Sequence, residues 1–291
     1  MRSLLFVPAD SEKKLLKGLE SGADALIIDL EDSVAAPNKP AGRAMATEFV
    51  MSHRQGPALY VRINDLASGM SDDDLAAIMK ARPAGIMLPK SGGGDDVGRL
   101  DARLRVHEAE NDIEDGATRI IPIITETPAA VLNMASYTGS SKRLAGLTWG
   151  AEDLSAEIGA AQTRDDEGRY TDVFRFARLS TILAATAAEV TPIDTVFPNF
   201  RDEDAFRRDC LEGMRDGFTA RMAIHPAQVA IINEVFTPST EAVAHARAVI
   251  DAFAAAGDVG VVGIDGKMFD RPHLKRAERL LARASAAGAA L

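Results

Sequence analysis

The chain has 291 residues, 46% of them hydrophobic and 26% charged, which supplies a large core and excludes disorder as the main state. A net charge of −10, from 33 Lys and Arg against 43 Asp and Glu, argues against a nucleic-acid binder, whose contact surface carries a basic excess. The single cysteine, Cys210, excludes an internal disulfide or a multi-cysteine zinc scaffold.

In chain order, the opening run Leu4 to Val7 is too short for a secretory segment, and no later run approaches the ~20 apolar residues of a membrane span. The expectation is a soluble, cytoplasmic protein without membrane contact. Short runs rich in Ile, Val and Leu then recur at Ser3–Val7, Ala25–Leu30, Ala58–Ile63, Gly85–Leu88, Arg119–Ile124, Leu144–Trp149, Ile193–Val196 and Arg221–Ile224. Runs of this kind fit parallel strands buried on both faces. Helical stretches lie between them. Ser11–Gly22 has Leu15, Leu16 and Leu19 on one face, and Asp72–Lys80 opens on three aspartates that suit a helix N-terminus. Asp95–Glu110, Pro128–Ser136, Thr171–Ala188 and Asp202–Gly217 follow. Eight strand–helix alternations are what a (β/α)8 barrel requires, here over residues 1–235, with an open doubly wound sheet as the alternative. No GxGxxG follows the first strand, which weakens the dinucleotide-binding form of that alternative. Residues 236–291 read as an appendage. It holds a helix over Ala242–Ala256, a strand-like Val259–Ile264, the turn Asp265-Gly266 and a last helix from Pro272 to Ala287. This extension either folds back on its own barrel or reaches a neighbouring subunit.

Barrel chemistry sits at the C-terminal strand ends. Those ends carry Asp29, Glu31, Asp32, Arg62, Asn64, Lys90, Glu126, Glu152, Asp153 and His225. Clustered carboxylates repel unless protonated or bridged by a cation. A few oxygen ligands completed by water and substrate suit Mg²⁺. Glu126 and Asp153, on consecutive strand ends, are the first choice as ligands; the alternative is that Glu126-Thr127-Pro128 starts a helix. Arg62 lies in the apolar run ALYVRIN, where a charge is costly unless paired. It reads as a partner of an acidic strand end, as a clamp for a carboxylate or enolate oxygen, or as both. Lys90 is either a similar clamp or a solvated loop residue. His225, before a proline, is expected to fix a turn. Gly92-Gly93-Gly94 lacks the Lys-Ser/Thr of a phosphate loop and reads as a flexible connection. Cys210 reads as helix packing.

RSLLFVPA (Arg2–Ala9), IIDLEDSVA (Ile27–Ala35), YVRIN (Tyr60–Asn64), LPK (Leu88–Lys90), ITETP (Ile124–Pro128), LTWGAEDLSAEIG (Leu147–Gly159), AIHPAQV (Ala223–Val229) and DGKMFDRPHLKRA (Asp265–Ala277) occur in this order. Together, over essentially the whole chain, they resemble the citrate lyase β-subunit-like family of acyl-CoA lyases, which includes malyl-CoA, β-methylmalyl-CoA and citramalyl-CoA lyases. The resemblance implies a (β/α)8 TIM barrel whose C-terminal extension covers a neighbouring subunit's site in a homotrimer or hexamer. It implies reversible cleavage of a 3-hydroxyacyl-CoA to an acyl-CoA and a 2-oxo acid, dependent on Mg²⁺ with Mn²⁺ able to substitute. By resemblance Glu126 and Asp153 hold the metal and Glu31 supports them from behind. Arg62 contacts the oxo-acid carbonyl and the developing enolate, and Asp270 is the acid/base carboxylate. Coenzyme A carries phosphates, so a local basic patch is expected. Lys13, Lys14, Lys39 and Arg43 are its candidates, a solvated helix face being the alternative. Ala220-Arg221 stands where relatives read Gly-Lys, which puts the CoA-side contacts there in question. A malyl-CoA-type thioesterase or synthase, and a citrate lyase β-chain acting on a carrier-protein-bound thioester, remain as alternative activities.

Overall fold

The apolar runs become eight parallel strands: β1 (Ser3–Pro8), β2 (Ala25–Asp29), β3 (Ala58–Arg62), β4 (Gly85–Leu88), β5 (Arg119–Pro122), β6 (Gly146–Thr148), β7 (Thr191–Asp194) and β8 (Ala220–Ala223). They come from a computed structural model that describes residues 1–288; positions 289–291 of the expected extension lie outside the described residues. The sheet order is β5-β4-β3-β2-β1-β8-β7-β6. Its two edges then meet. Ile120 N–H donates to Arg143 O, Ala145 N–H to Ile120 O and Ile124 N–H to Thr148 O, each at 2.9 Å. The expected (β/α)8 barrel is therefore the architecture found, and the open sheet is not.

The connections are α1 (Glu12–Leu19), α2 (Lys39–Ser52), α3 (Ser71–Ile78), α4 (Gly94–Glu110), α5 (Pro128–Leu132), α6 (Glu152–Ile158), α7 (Asp172–Ala187), α8 (Glu203–Asp216) and α9 (Pro226–Phe236). Strand alternation divides the apolar residues in two. Leu4, Ile27, Tyr60, Met87, Ile121, Ile193 and Met222 point inward and fill the barrel. Leu5, Val7, Leu26, Ile28, Val61, Ile86 and Leu88 point outward, into a larger core shared with the helices.

Three helices, α2, α6 and α9, were implied by the eightfold alternation but not located in the sequence. Pro40 and Gly42 mask the pattern of α2, and α6 is only seven residues long. The seventh strand begins at Thr191 and contains Pro192, two residues earlier than its apolar run. The glycine triplet is no flexible connection. A Cβ on Gly94 would lie 2.1 Å from Ser136 O, so glycine there permits the close approach of α4 to the turn Met134–Tyr137.

The extension forms α10 (Thr240–Ala256), a hairpin of β9 (Val261–Ile264) with β10 (Lys267–Asp270), and α11 (Arg271–Ala286). The strand nature of Lys267–Asp270 was not expected. Ala246, Val249, Phe253, Val262 and Ala277 make a small core of their own. The last turns of α11 place Arg279 and Arg283 beside Arg119, Thr191 and Thr219, at the N-terminal ends of the strands. No helix among the described residues is long and apolar enough to cross a membrane.

Candidate active site

A cleft opens at the other end of the barrel, where strand parity adds one more inward side chain above the apolar layer. On β2 the series Ala25, Ile27 ends on Asp29; on β3 the series Ala58, Tyr60 ends on Arg62. The parallel register pairs these two ends. Arg62 Nε donates to Asp29 Oδ1 and Nη2 to Oδ2, both at 2.7 Å, a bidentate fit of guanidinium to carboxylate. Asp29 also accepts from the N–H groups of Glu31 at 2.9 Å and Ser33 at 3.1 Å. Burial works against the Asp29 charge, but Arg62 and these donors hold its carboxyl below the usual range. The Arg62 guanidinium lies 4.9 Å above the Phe6 ring. So Arg62 is paired, as one reading expected, and it also lines the cleft.

Glu31 is 4% exposed. Its Oε1 accepts from Lys90 Nζ at 2.7 Å. Its Oε2 lies 3.0 Å from Arg62 Nη1 yet has no hydrogen-bond partner, so that contact is an ion pair off the N–H direction. Burial raises the Glu31 pKa, and Arg62 and Lys90 oppose this. Glu126 is 3% exposed and accepts a hydrogen bond from the Lys90 backbone N–H. Burial pushes its pKa up to about 8; the Lys90 N–H pulls the other way, while Asp153 and Glu31 add repulsion. The helix-start reading of this segment describes its neighbour. Thr127 Oγ1 caps α5 by accepting from Ala130 N–H at 3.1 Å, with Pro128 in the first turn, and this leaves the Glu126 carboxylate to the cleft. Asp153 stands in the first turn of α6.

The cleft has a volume of about 440 Å³ and is lined by Asp29, Asp32, Arg62, Glu126, Glu152 and Asp153, with Phe6, Trp149, Val196 and Ile224 as apolar walls. No three His, Cys, Asp or Glu side chains converge as a closed metal cage among the described residues. A hard cation that keeps its waters needs none. Glu126, buried and repelled by Asp153, and Glu31 Oε2, without a hydrogen-bond partner, leave carboxylate oxygens that a cation could use. The donor set is oxygen only, which fits Mg²⁺ or Mn²⁺ rather than a thiolate- or imidazole-preferring metal.

Other residues singled out in the sequence lie elsewhere. Lys39 is 8% exposed, and its ammonium donates to Leu30 O at 2.7 Å, Glu31 O at 2.8 Å and Asn64 Oδ1 at 2.7 Å. Three acceptors use up its three N–H donors, so it fastens the segment after β2 and has none left for a CoA phosphate. Arg43 is likewise committed, with Nε donating to Asp74 Oδ1 at 2.6 Å and Nη1 3.5 Å from Asp73. Lys13 and Lys14 are exposed in the first turn of α1, on the cleft's side of the barrel. Arg221 does not face CoA. It alternates with the inward Ala220 and Met222, so its side chain faces the helices, fully buried. There Nη2 meets Asp209 at 2.5 Å and Nη1 meets Asp194 at 3.3 Å, alongside Arg178 and Arg164. Asp194 also accepts from Trp149 Nε1 at 2.8 Å, tying this buried cluster to a wall of the cleft. His225 caps α9, its Nδ1 accepting from Ala227 N–H at 3.2 Å. Asp270 caps α11, bonded to His273, and does not line the cleft of its own chain. Phe6 and Trp149 were not anticipated as site residues; inward parity on β1 was the one signal available for Phe6.

Comparisons with known proteins show which family the chain resembles in sequence and fold. The HpcH/HpaI aldolase/citrate lyase family matches residues 2–226. Rat mitochondrial citramalyl-CoA lyase is 30% identical over 96% of the chain and 85% of its own length. The citrate lyase β subunit of Escherichia coli K12 is 32% identical over 99% and 94%. Among solved structures, the CitE protein of Mycobacterium tuberculosis in complex with magnesium, acetoacetate and coenzyme A superposes with a TM-score of 0.79 at 30% identity, covering 98% of both chains.

Proposed function

The chain belongs to the HpcH/HpaI aldolase/citrate lyase family of carbon–carbon lyases, and from that premise we propose that it is a Mg²⁺-dependent acyl-CoA lyase. Its reaction is the reversible retro-Claisen cleavage of a 3-hydroxyacyl-CoA of the malyl, methylmalyl or citramalyl type. The observation that carries the reading is one cleft lined by Arg62, Glu126 and Asp153 in a chain that superposes on a relative holding magnesium, acetoacetate and coenzyme A.

In the cleavage direction the C2–C3 bond breaks. Its electron pair stays on C2 as the thioester enolate, and the C3 hydroxyl loses its proton to become the carbonyl of the 2-oxo acid. Glu126 and Asp153 would hold the metal through carboxylate oxygens, and Glu31 would lie behind them. The bound metal supplies Lewis acidity, which eases removal of the hydroxyl proton and orients the oxo-acid end. Arg62 spends two N–H donors on Asp29 and offers the others to the oxygen on which charge grows, in a cavity where such a donor is already oriented. Phe6, Trp149, Val196 and Ile224 keep water from the enolate. Asp270 gives a proton to C2 and is restored by the one that the C3 hydroxyl releases, so the protons balance. Since it lies away from its own cleft, the extension, residues 236–291, serves a neighbouring subunit in a homotrimer or hexamer. The exposed Lys14, with Lys13, meets the CoA phosphates.

The test is product analysis with Mg²⁺ on malyl-, methylmalyl-, citramalyl- and citryl-CoA, following 2-oxo acid and free thiol together. Oxo acid without thiol, abolished by EDTA and by Glu126→Ala, is the expected result. Free thiol would mean hydrolysis. Intact CoA esters with cleavage of a carrier-protein thioester would mean a citrate lyase β-chain, and no turnover of either would refute the lyase reading.

A further inference from the structure

Lys90 follows β4 in the left-handed region, at φ 51°. A residue with a Cβ is strained in that conformation, and glycine is the ordinary occupant. The turn is held from outside, by Tyr137 Oη 3.0 Å from Ser91 O and by Gly92 N–H donating to Asp96 Oδ2 at 2.8 Å. A strained, over-determined residue that bonds to two carboxylates beside the cleft, Glu126 through its backbone and Glu31 through its side chain, calls for a use of that side chain. The backbone N–H reaches Glu126, which any amino acid but proline would supply. The ammonium reaches Glu31 Oε1 at 2.7 Å and lies 4.0 Å from Asp32, which only a cation can do.

Glu31 has one other cation within ion-pair reach among the described residues, Arg62, whose Nη1 is 3.0 Å from Oε2 but forms no hydrogen bond with it. Without the Lys90 charge, a buried carboxylate would draw that Nη1 onto itself. We propose that Lys90 is a positioning residue of the lyase site: its ammonium is the counter-charge of Glu31 and thereby leaves Arg62 Nη1 free for the substrate oxygen. This rests on the lyase reading above and adds to it a residue that acts through Glu31 and Arg62 without touching the reacting atoms.

The experiment compares wild type, Lys90→Gly, Lys90→Met, Glu31→Gln and the Lys90→Met/Glu31→Gln double variant. Lys90→Gly removes the ammonium and relieves the left-handed strain, so it separates function from folding. It is expected to melt no lower than wild type, while kcat falls at least about tenfold with KM for the CoA ester within about threefold. In the double variant kcat should be no lower than in Glu31→Gln alone, because the charge that needed balancing is gone. Mn²⁺ titration is the second readout. Removing one positive charge beside the carboxylates should tighten Mn²⁺ at least about threefold in Lys90→Met, and Glu31→Gln in that background should reverse the gain. A Lys90→Gly kcat within twofold of wild type, or multiplicative losses in the double variant, would overturn the assignment. If wild type leaves every thioester intact, the lyase reading falls separately. The Mn²⁺ arm then decides, and an unchanged affinity in Lys90→Met rejects the counter-charge role.

Discussion

Asp29→Asn tests whether the orientation of Arg62 is set by its bidentate partner. The Asp29 carboxylate accepts four hydrogen bonds: Arg62 Nε and Nη2 at 2.7 Å each, Glu31 N–H at 2.9 Å and Ser33 N–H at 3.1 Å. An asparagine in the same place keeps one acceptor oxygen, which serves Nε and Glu31. Its NH2 group faces Nη2 and the Ser33 N–H, donor against donor. The loss is two bonds to an ionised acceptor, from Nη2 and from the Ser33 N–H, each worth about 1.5 kcal/mol at the lower end of the charge-assisted range. The total is about 3 kcal/mol, at a site that is 2% exposed and weakly screened. For 291 residues at ~2.1 cal/mol/K each, the unfolding entropy is about 0.6 kcal/mol/K, so Tm should fall by about 5 °C. The guanidinium, held by Nε alone, pivots away from the position its free donors occupy, and kcat/KM should fall by about 10²-fold. Differential scanning calorimetry and a coupled assay for 2-oxo acid read the two effects. A Tm drop with kcat/KM within threefold of wild type would show that Asp29 only fastens its loop. Unchanged values of both would show that the pair carries no energy, and the account of Arg62 would fail.

Metal binding should raise Tm by about 4 °C at 100 times Kd, since saturation of that order adds about 2.7 kcal/mol; Glu126→Gln and Asp153→Asn should each abolish the Mg²⁺-induced shift. Lys39→Met orphans three acceptors at once, so denaturant unfolding should show a loss of roughly 2–4 kcal/mol with KM for the CoA ester unchanged. Lys14→Ala should raise that KM at constant stability. Asp209, held down to about 2 by Arg221, Arg178 and Arg164 against the burial that would raise it, contributes stability that is present above the unfolded value of 3.8 and lost as pH falls through about 2. That shift is worth about 2 kcal/mol, so wild type should lose about this much more unfolding free energy than Asp209→Asn between pH 5 and pH 2, measured in urea.

The barrel was legible because its signal is redundant. Eight apolar runs, each followed by a helix or a turn, agree with one architecture, and errors at single elements do not alter the count. Where local pattern was thin the reading failed. Seven-residue α6 carries too few turns to show a stripe, and Pro40 and Gly42 mask that of α2, yet tertiary packing holds both. The carboxylates of the site were legible for a related reason. A strand end, or the turn beyond it, sets the height of a residue in the barrel, and Asp29, Arg62, Glu126 and Asp153 all line the cleft there.

What height does not fix is the direction of a long side chain, and the basic residues show the consequence. Lys39 and Lys14 are the same residue type, both just beyond strand ends, and both were candidates for a phosphate. Lys39 turns inward because Leu30 O, Glu31 O and Asn64 Oδ1 stand together within 2.8 Å of its nitrogen, a coincidence of three chain segments that no spacing encodes. Arg221 differs again. Its parity on β8 sends it outward, where Asp209 from α8 and Asp194 from β7 are already in place, and the parity of β8 was available in the alternation Ala220, Met222, Ile224. Strand parity therefore carries functional information that motif spelling does not. A residue set one place along a strand from the inward series belongs to the scaffold, however closely its neighbours match a known signature, and should be tested first for stability and only then for catalysis.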